Sequence, residues 1–299
     1  MKGNIFNWLR RIFYLIILLG LIIFLIRQGV EPWRILAANP QAFIGVMVVT
    51  TLGILVQANA FKMCLPQDSK YPPLSRLVEI WAISGTTSLL VPVVASLAMR
   101  TVLLQREGIG LKANVLATVR QTWFNCECAL FTGAIVLIAY PWPVIPYLGY
   151  GLGSIWFGLW LSRKCLLAYS GSYIKLHFPS ALRIAYSPSW LAWFWLSGQV
   201  ITMAVNYWMV FMLMAAPLEW HESFLLATLT ILAGLFVFVP NGLGILDALW
   251  VWVGNRQGLV LGESVALALI MRFGYLAAAV LLWFGLSQWR RVFHRSIDG

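Results

Sequence analysis

Five charged side chains stand inside otherwise apolar runs of this sequence. Arg100, Arg120 and Arg272 are cations, and Glu127 and Asp247 are the acids available to pair with them. An unpaired charge at the centre of a bilayer costs roughly 2.5 to 3.5 kcal/mol on insertion scales. Three cations against two anions leave one positive charge, which a lipid phosphate would neutralise. Alternatively, the five residues form ion pairs that tie helices together without any substrate.

The remaining reactive residues do not indicate catalysis. The three histidines, His177, His221 and His294, are far apart in the sequence, and no pair of carboxylates or set of metal ligands has a functional spacing. The cysteines form no Cys-x-x-Cys pair and are expected to be small buried side chains. They are Cys64, Cys126, Cys128 and Cys165. We therefore expect no enzymatic activity, no metal site and no cofactor.

The composition is that of a membrane protein. Of the 299 residues, 61% are hydrophobic and 10% are charged, which is too little charge for a soluble domain of this size. The net charge of +11 comes from short basic clusters between apolar runs, a pattern that sets membrane topology rather than nucleic-acid binding. We expect one integral membrane domain over residues 1–299, in contact with membrane lipids.

The strongest signal is an apolar run, Phe236 to Val253, that is interrupted at its centre. A proline ends one helix, and glycines allow irregular backbone before the next. Irregular backbone at membrane depth is tolerated only beside protein or a water-filled cavity, so we predict a re-entrant segment over residues 222–257. The N-terminus of its second half-helix would direct a partial positive charge at a bound anion. The residues assigned to this site are Asn241, Gly242, Gly244 and Asp247, which follow Pro240.

A similar interruption occurs in the first half of the chain. Residues 77–104 contain Pro92 inside an apolar run, which predicts a first re-entrant segment. When the two Val-Pro pairs are aligned, a lone charge follows each proline, Arg100 after eight positions and Asp247 after seven. The two segments are therefore expected to be related hairpins.

Six apolar stretches predict full membrane spans of about 20 residues. They are Ile5–Arg27, Gln41–Phe61, Lys112–Tyr140, a stretch ending near Ser162, Trp190–Met214 and Ser264–Gln288. With six full spans, both termini lie on the same side of the membrane. Most basic residues lie on that side too, so it is the cytoplasmic side by the positive-inside rule. Three full spans separate the re-entrant segments, so these enter from opposite faces. The predicted fold is an all-α polytopic membrane helix bundle with two re-entrant hairpins, arranged as in inverted-repeat transporters.

Polar side chains share one face on two of these spans. Arg120 and Glu127 are seven residues apart, so their helix is expected to face the cavity. Gln199 and Asn206 are also seven apart on a later span. They either line the cavity or bond a neighbouring helix.

These motifs resemble those of the lysylphosphatidylglycerol synthase transmembrane-region family. The second break, Pro240 to Asp247, is similar to the family pattern P-G-G-L-G-x-x-E, with Asp in place of Glu. The first break keeps Pro92 and Arg100 of the pattern P-x-R-x-G-E-x-x-R but lacks its other charges, and Arg272 lies in the last span. The resemblance covers nearly the whole chain and implies a multi-pass protein of the bacterial cytoplasmic (inner) membrane, related to lipid flippase domains. The aminoacyltransferase domain of the full synthases has no counterpart here, so lipid aminoacylation is not expected.

The sequence thus predicts a protein that binds or flips an anionic phospholipid or lipid-linked amphiphile through a midplane cavity. The alternative is a non-transporting membrane partner that docks a soluble glycosyltransferase or lipid synthase on the cytoplasmic side, through basic loops around Lys112 or Arg183. The glycine-rich stretch at 149–158 suits either a homodimer contact or packing within one chain.

Overall fold

The computed structural model describes residues 32–66, 71–90, 93–139, 147, 149–161, 190–234 and 245–297. These residues form α-helices joined by short turns, and no strand occurs among them. In chain order the helices are α1 (Pro32–Ala38), α2 (Pro40–Cys64), α3 (Leu74–Leu90), α4 (Val93–Arg106), α5 (Leu111–Ile138), α6 (149–161), α7 (Trp190–Met212), α8 (Trp220–Ala233), α9 (Ile245–Arg256) and α10 (Leu261–Ile297). The predicted all-α class is confirmed.

Among the described helices, three are long and apolar enough to cross a membrane. They are α2, α5 and the first part of α10, Leu261–Leu286. With 25 residues, α2 is ~37 Å long, which exceeds the ~30 Å of a hydrocarbon core. The prediction of a membrane protein with several apolar helices is confirmed. The predicted first span, 5–27, lies outside the described residues, as does the whole connection at 162–189.

The centre of the molecule is the antiparallel pair of helices α2 and α7. Gly53 of α2 faces Thr202 of α7. Nearby, Asn206 Nδ2 donates a hydrogen bond of 3.0 Å to Thr50 Oγ1, so residue numbers rise along one helix as they fall along the other. Small side chains at the crossing let the two backbones approach closely. Asn206 therefore bonds a neighbouring helix, which is one of the two roles predicted for it.

Helices α3 and α4 form an antiparallel hairpin. The end of this hairpin at which α3 begins and α4 ends is here called the first mouth, and a hydrogen bond of Arg76 connects its two sides. Arg76 Nε donates to Glu107 Oε1 at 2.6 Å, and Arg76 Nη1 donates to Glu79 Oε2 at 2.6 Å. The predicted break at Pro92 falls on residues 91–92, which lie outside the described part of the chain.

Helices α8 and α9 form a second antiparallel hairpin. A capping box with Glu219 and Glu222 starts α8. The second mouth, at the start of α8 and the end of α9, is joined by Gln257 Nε2, which donates to Glu222 Oε2 at 2.7 Å. The break between these helices covers residues 235–244, outside the described residues. The two hairpins are thus closed at equivalent positions. The third residue of the first helix, Arg76 or Glu222, is hydrogen-bonded to the residue just after the second helix, Glu107 or Gln257.

The two mouths lie at opposite ends of α2. Near the C-terminus of α2, the Phe61 ring is 4.6 Å from the Trp81 ring of α3, measured between centroids. Near its N-terminus, the end of α7 carries Phe211, whose ring is stacked on Trp250 of α9 at 5.5 Å. The hairpins therefore join the bundle from opposite ends.

Both hairpins end in the same glycine turn. Gly108 and Gly258 have φ of +85° and +79°, a backbone conformation that side chains other than glycine rarely adopt. In each turn the residue after the glycine donates its amide to the carbonyl four positions before the glycine, at 3.0 Å and 2.9 Å. This is the Schellman pattern of a helix C-terminus. The local sequences, REGIGL from Arg106 and RQGLVL from Arg256, lie 150 positions apart.

Helix packing is reciprocal between the two halves of the described chain. Helix α3 packs against α10, and α8 packs against α5. Helix α2 contacts α10, and α7 contacts α5. The first hairpin and α2 thus both contact α10, and the second hairpin and α7 both contact α5. The residues beside each mouth are therefore held by equivalent sets of helices.

Candidate functional site

Arg100 is a partly buried cation without a carboxylate partner in the described part of the chain. It lies six residues before the end of α4, or ~9 Å along the helix from the first mouth. Its guanidinium carbon is 4.4 Å from the centre of the Trp81 ring and 5.6 Å from that of Phe61. Contacts of this kind stabilise a cation by about 0.5 to 2 kcal/mol. They offset part of the cost of burial and leave the positive charge in place.

The aromatic floor beneath Arg100 is held in position by α2. Trp81 Nε1 donates a hydrogen bond of 3.1 Å to Gln57 Oε1, and the Phe61 ring tilts against the indole. Trp81 and Phe61 are both almost fully buried. The floor is therefore rigid, and it fixes where the guanidinium lies.

Polar side chains of α4 and α5 line the other side of Arg100. Arg100 Nη2 donates to Thr118 Oγ1 at 3.2 Å, and Asn114 Nδ2 donates to Thr101 Oγ1 at 2.8 Å. Arg100 Nε is buried and has no hydrogen-bond partner among the described residues. A buried charged donor without an acceptor is costly, so this edge of the guanidinium is suited to an external anion.

Arg120 lies close to the same end of α2 but has a different role. Its Nη1 donates to the carbonyl oxygen of Cys64 at 2.7 Å. Cys64 ends α2, where carbonyls lack partners within the helix and the helix dipole favours a cation. Arg120 therefore caps α2, a role that depends on where that helix ends.

Glu127 is fully buried on α5. Its Oε1 accepts a hydrogen bond of 2.6 Å from Trp123 Nε1, one turn earlier on the helix. Arg120 and Glu127 do share one helix, but the contacts made by Arg120 Nη1 and Glu127 Oε1 are with different groups. The neighbouring Cys126 and Cys128 are free and buried, as predicted for them and for Cys64, whereas Cys165 lies outside the described residues.

The second half of the predicted site is described only in part. Asn241, Gly242 and Gly244 lie outside the described residues, and of Asp247 only its place in α9 is described. Gly254 of α9 faces Ser264 of α10. Because α9 and α10 run antiparallel, moving seven residues from this contact in each helix brings position 247 level with position 271. Arg272 is therefore next to the level of Asp247 along the helix pair, and it is half-buried.

A cavity of about 200 Å³ opens at the first mouth, between α3 and α4. It has an apolar floor and a charged rim, formed by Arg76, Glu79, Ile80, Ile83, Leu103, Arg106 and Glu107. The hydrogen bonds to Glu107 and Glu79 raise the pKa of the Arg76 guanidinium above its ordinary value, despite the opposing effect of burial. The rim of the cavity is therefore a fixed set of charges at the first mouth.

Sequence reasoning found Arg100 but missed the residues around it. Trp81, Phe61 and Thr118 approach Arg100 from three different helices, and no motif marks them among the 16 tryptophans and 17 phenylalanines of the chain. The sequence does offer one signal, the pair of similar glycine turns 150 positions apart. It indicates how far Arg100 lies along α4 from the first mouth.

The chain matches a known family over most of its length. The family model described as the lysylphosphatidylglycerol synthase TM region matches residues 11–289. No curated protein matches the chain, and no solved structure does.

Proposed function

The chain belongs to the lysylphosphatidylglycerol synthase TM region family, and from that premise we propose that it binds an anionic phospholipid or lipid-linked amphiphile and moves the headgroup across the membrane. Membership of this family indicates a role related to membrane lipids. The finer proposal concerns the charge of the ligand and the path it takes. No chemical step is part of it.

The observation that carries the proposal is the state of Arg100. A guanidinium packed on aromatic rings, with a buried and unpartnered Nε and no carboxylate partner among the described residues, is poorly explained as a structural ion pair. A phosphate oxygen at Nε would complete its hydrogen bonds and neutralise its charge. A charge-assisted hydrogen bond of this kind contributes about 1.5 to 3 kcal/mol, which favours a headgroup phosphate at this position.

We further propose that the two hairpins are re-entrant halves of an inverted repeat. Supporting this are the matching glycine turns, the matching bonds across the mouths and the placement of the mouths at opposite ends of α2. In such an arrangement the hairpin tips, including Asn241, Gly242, Gly244 and Asp247, would meet near the midplane and form the rest of the pathway.

The proposed orientation puts the first mouth and both termini on the cytoplasmic face of a bacterial inner membrane. The basic residues in the terminal turns of the helices at this end, such as Lys62, Arg106 and Lys112, support it by the positive-inside rule. Headgroups would then reach Arg100 from the cytoplasmic leaflet through the cavity at the first mouth.

The test is lipid crossing in reconstituted vesicles of phosphatidylcholine. The vesicles carry a trace of fluorescent phosphatidylglycerol or fluorescent phosphatidylcholine, and dithionite bleaching reports which leaflet holds the label. We expect the protein to accelerate crossing of the anionic label more than that of the zwitterionic one. Arg100→Gln should slow it about tenfold or more, since it removes charge-assisted hydrogen bonds.

Lys112→Gln is the matched control, because it removes one positive charge from an exposed position at the same mouth. It should stay within about twofold of the unmodified protein, as expected for an exposed charge. If no anionic label crosses faster than in protein-free vesicles, translocation is wrong, and the docking of a soluble enzyme becomes the better explanation.

A further inference from the structure

The residues around Arg100 have counterparts in the second half of the chain, at the offset of the two glycine turns. Moving 150 positions along the sequence takes Gly108 to Gly258 and Phe61 to Phe211. The same shift takes Arg100 to Trp250. The second half therefore has a position equivalent to the candidate site, with an indole in place of the guanidinium.

Trp250 lies on an aromatic floor much as Arg100 does. Its ring is stacked on Phe211 at 5.5 Å with an interplanar angle of 1°, and it meets Tyr207 edge-on at 5.1 Å. Trp250 is 5% exposed. An apolar ring thus fills the place that holds a charge in the first half.

The polar lining has been lost together with the charge. Thr118, which accepts a hydrogen bond from Arg100, corresponds to the buried Ala268 at the same offset. Trp81 corresponds to the buried Ala227, at the offset of 146 that relates Arg76 to Glu222. The small alanines leave room for the Trp250 indole and offer no side-chain hydrogen bond to an anion.

The cavities at the two mouths differ in the same sense. Most of the residues that line the two cavities occupy equivalent positions of the two hairpins, yet the first cavity has a volume of about 200 Å³ and the second about 10 Å³. The second is lined by Glu222, Leu225, Leu226, Trp252, Val253 and Arg256. The first mouth therefore holds an open cavity at the place where the second mouth is nearly filled.

We propose that this chain keeps a single headgroup site, at Arg100, which takes the monoanionic phosphodiester of a phospholipid, and that Trp250 fills the equivalent site in the second half. This inference rests on the proposed function, because it assigns Arg100 to anion binding. It goes further in fixing the number of sites at one and in naming the residue that occludes the other.

The test counts bound lipid by native mass spectrometry of the detergent-solubilised protein, titrated with dioctanoyl phosphatidylglycerol. We expect one tightly bound lipid for the unmodified protein and none for Arg100→Gln. Trp250→Phe keeps the site filled with an aromatic ring and should leave the count at one. Trp250→Arg combined with Ala268→Thr restores both polar groups and should raise the count to two.

The outcomes separate this inference from the proposed function. No specifically bound lipid, or one that persists in Arg100→Gln, contradicts anion binding at Arg100 and with it both proposals. Two equivalent lipids on the unmodified protein overturn the single site and leave the proposed function standing. If the double variant folds with an unchanged thermal midpoint and still binds one lipid, Trp250 is not what closes the second site. Should the double variant fail to fold, the count on the unmodified protein still decides between one site and two.

A second arm replaces the lipid with water-soluble glycerophosphoglycerol, which has the same phosphodiester. We expect it to bind at least tenfold more weakly, because acyl chains contribute roughly 0.8 kcal/mol for each buried CH₂. Equal affinity for the soluble diester would overturn the assignment to a lipid.

Discussion

The guanidinium carbon of Arg100 lies 4.4 Å from the centre of the Trp81 ring, across the first hairpin. This contact compensates only in part for removing the charge from water, since the Nε edge is left without an acceptor among the described residues. A residue that costs stability at rest and gains a partner on binding is typical of a functional site.

Replacing Arg100 should have opposite effects on stability and on binding. Arg100→Met keeps an unbranched apolar stem and removes the partly buried charge, so we expect the free energy of unfolding to rise by about 1 kcal/mol. Binding of phosphatidylglycerol should fall about tenfold or more for the same reason. Thermal midpoints in lipid-free detergent and lipid titrations measure the two effects. A clear loss of stability in Arg100→Met would mean that the charge serves the fold.

Trp81 is expected to act through Arg100. Trp81→Leu removes the ring face beneath the guanidinium, and binding of the anionic lipid should weaken by about 0.5 to 2 kcal/mol. Trp81→Phe retains a ring and should lose less. Trp208→Leu is the control, because Trp208 stacks on Trp220 at the other end of the molecule, with ring centroids 5.2 Å apart. An equal loss in both leucine variants would show a general effect of removing tryptophan.

Arg120 is expected to serve the end of α2. Arg120→Met leaves the Cys64 carbonyl without its charged donor, so unfolding should become easier by about 1 to 3 kcal/mol. Arg120→Lys keeps the charge near the helix terminus and should recover part of that loss. Thermal midpoints of the two variants, compared with that of Arg100→Met, provide the measurement. A midpoint that rises in Arg120→Met would contradict the role of a helix cap.

The bond across the second mouth should tolerate exchange of its partners but not two acids. Gln257→Glu places a second carboxylate against Glu222, which removes the 2.7 Å hydrogen bond and adds repulsion. We expect a loss of about 1 to 2 kcal/mol in stability, reduced at high salt. Glu222→Gln in the same chain restores an amide opposite a carboxylate, and Gln still completes the capping box with Glu219. The double variant should therefore recover most of the midpoint, and failure to recover would show that the mouth depends on other contacts.

The elements of the fold could be predicted because apolar length and helix breakers act locally. The predicted span at 112–140 corresponds to α5, and two helices, α3 and α4, lie where the segment 77–104 is predicted to be interrupted. The glycine turns at Gly108 and Gly258 were also present in the sequence as a repeat. The alignment on Val-Pro pairs did not reveal it, since that alignment uses an offset of 148 and the turns use 150.

The surroundings of each charge could not be predicted in the same way. Whether Arg120 faces a cavity or a helix end depends on how far α2 extends alongside α5. The sequence of either helix alone does not determine how the two are placed relative to each other. The bond between Arg76 and Glu107 joins residues 31 positions apart, and its geometry exists only once the hairpin has closed. Contacts set by packing between helices need the packed structure.

The crossing of α2 and α7 at Gly53 and Thr202 bears on how such a chain arises. At the offset of 150, Thr202 corresponds to Leu52, the neighbour of Gly53, so the two helices meet within one residue of equivalent points. Two identical half-length chains would make that contact as an isologous homodimer. On the proposed inverted repeat, fusion of two such halves into one chain removes the requirement that they stay identical, and position 100 in one half can then be an arginine while position 250 in the other is a tryptophan.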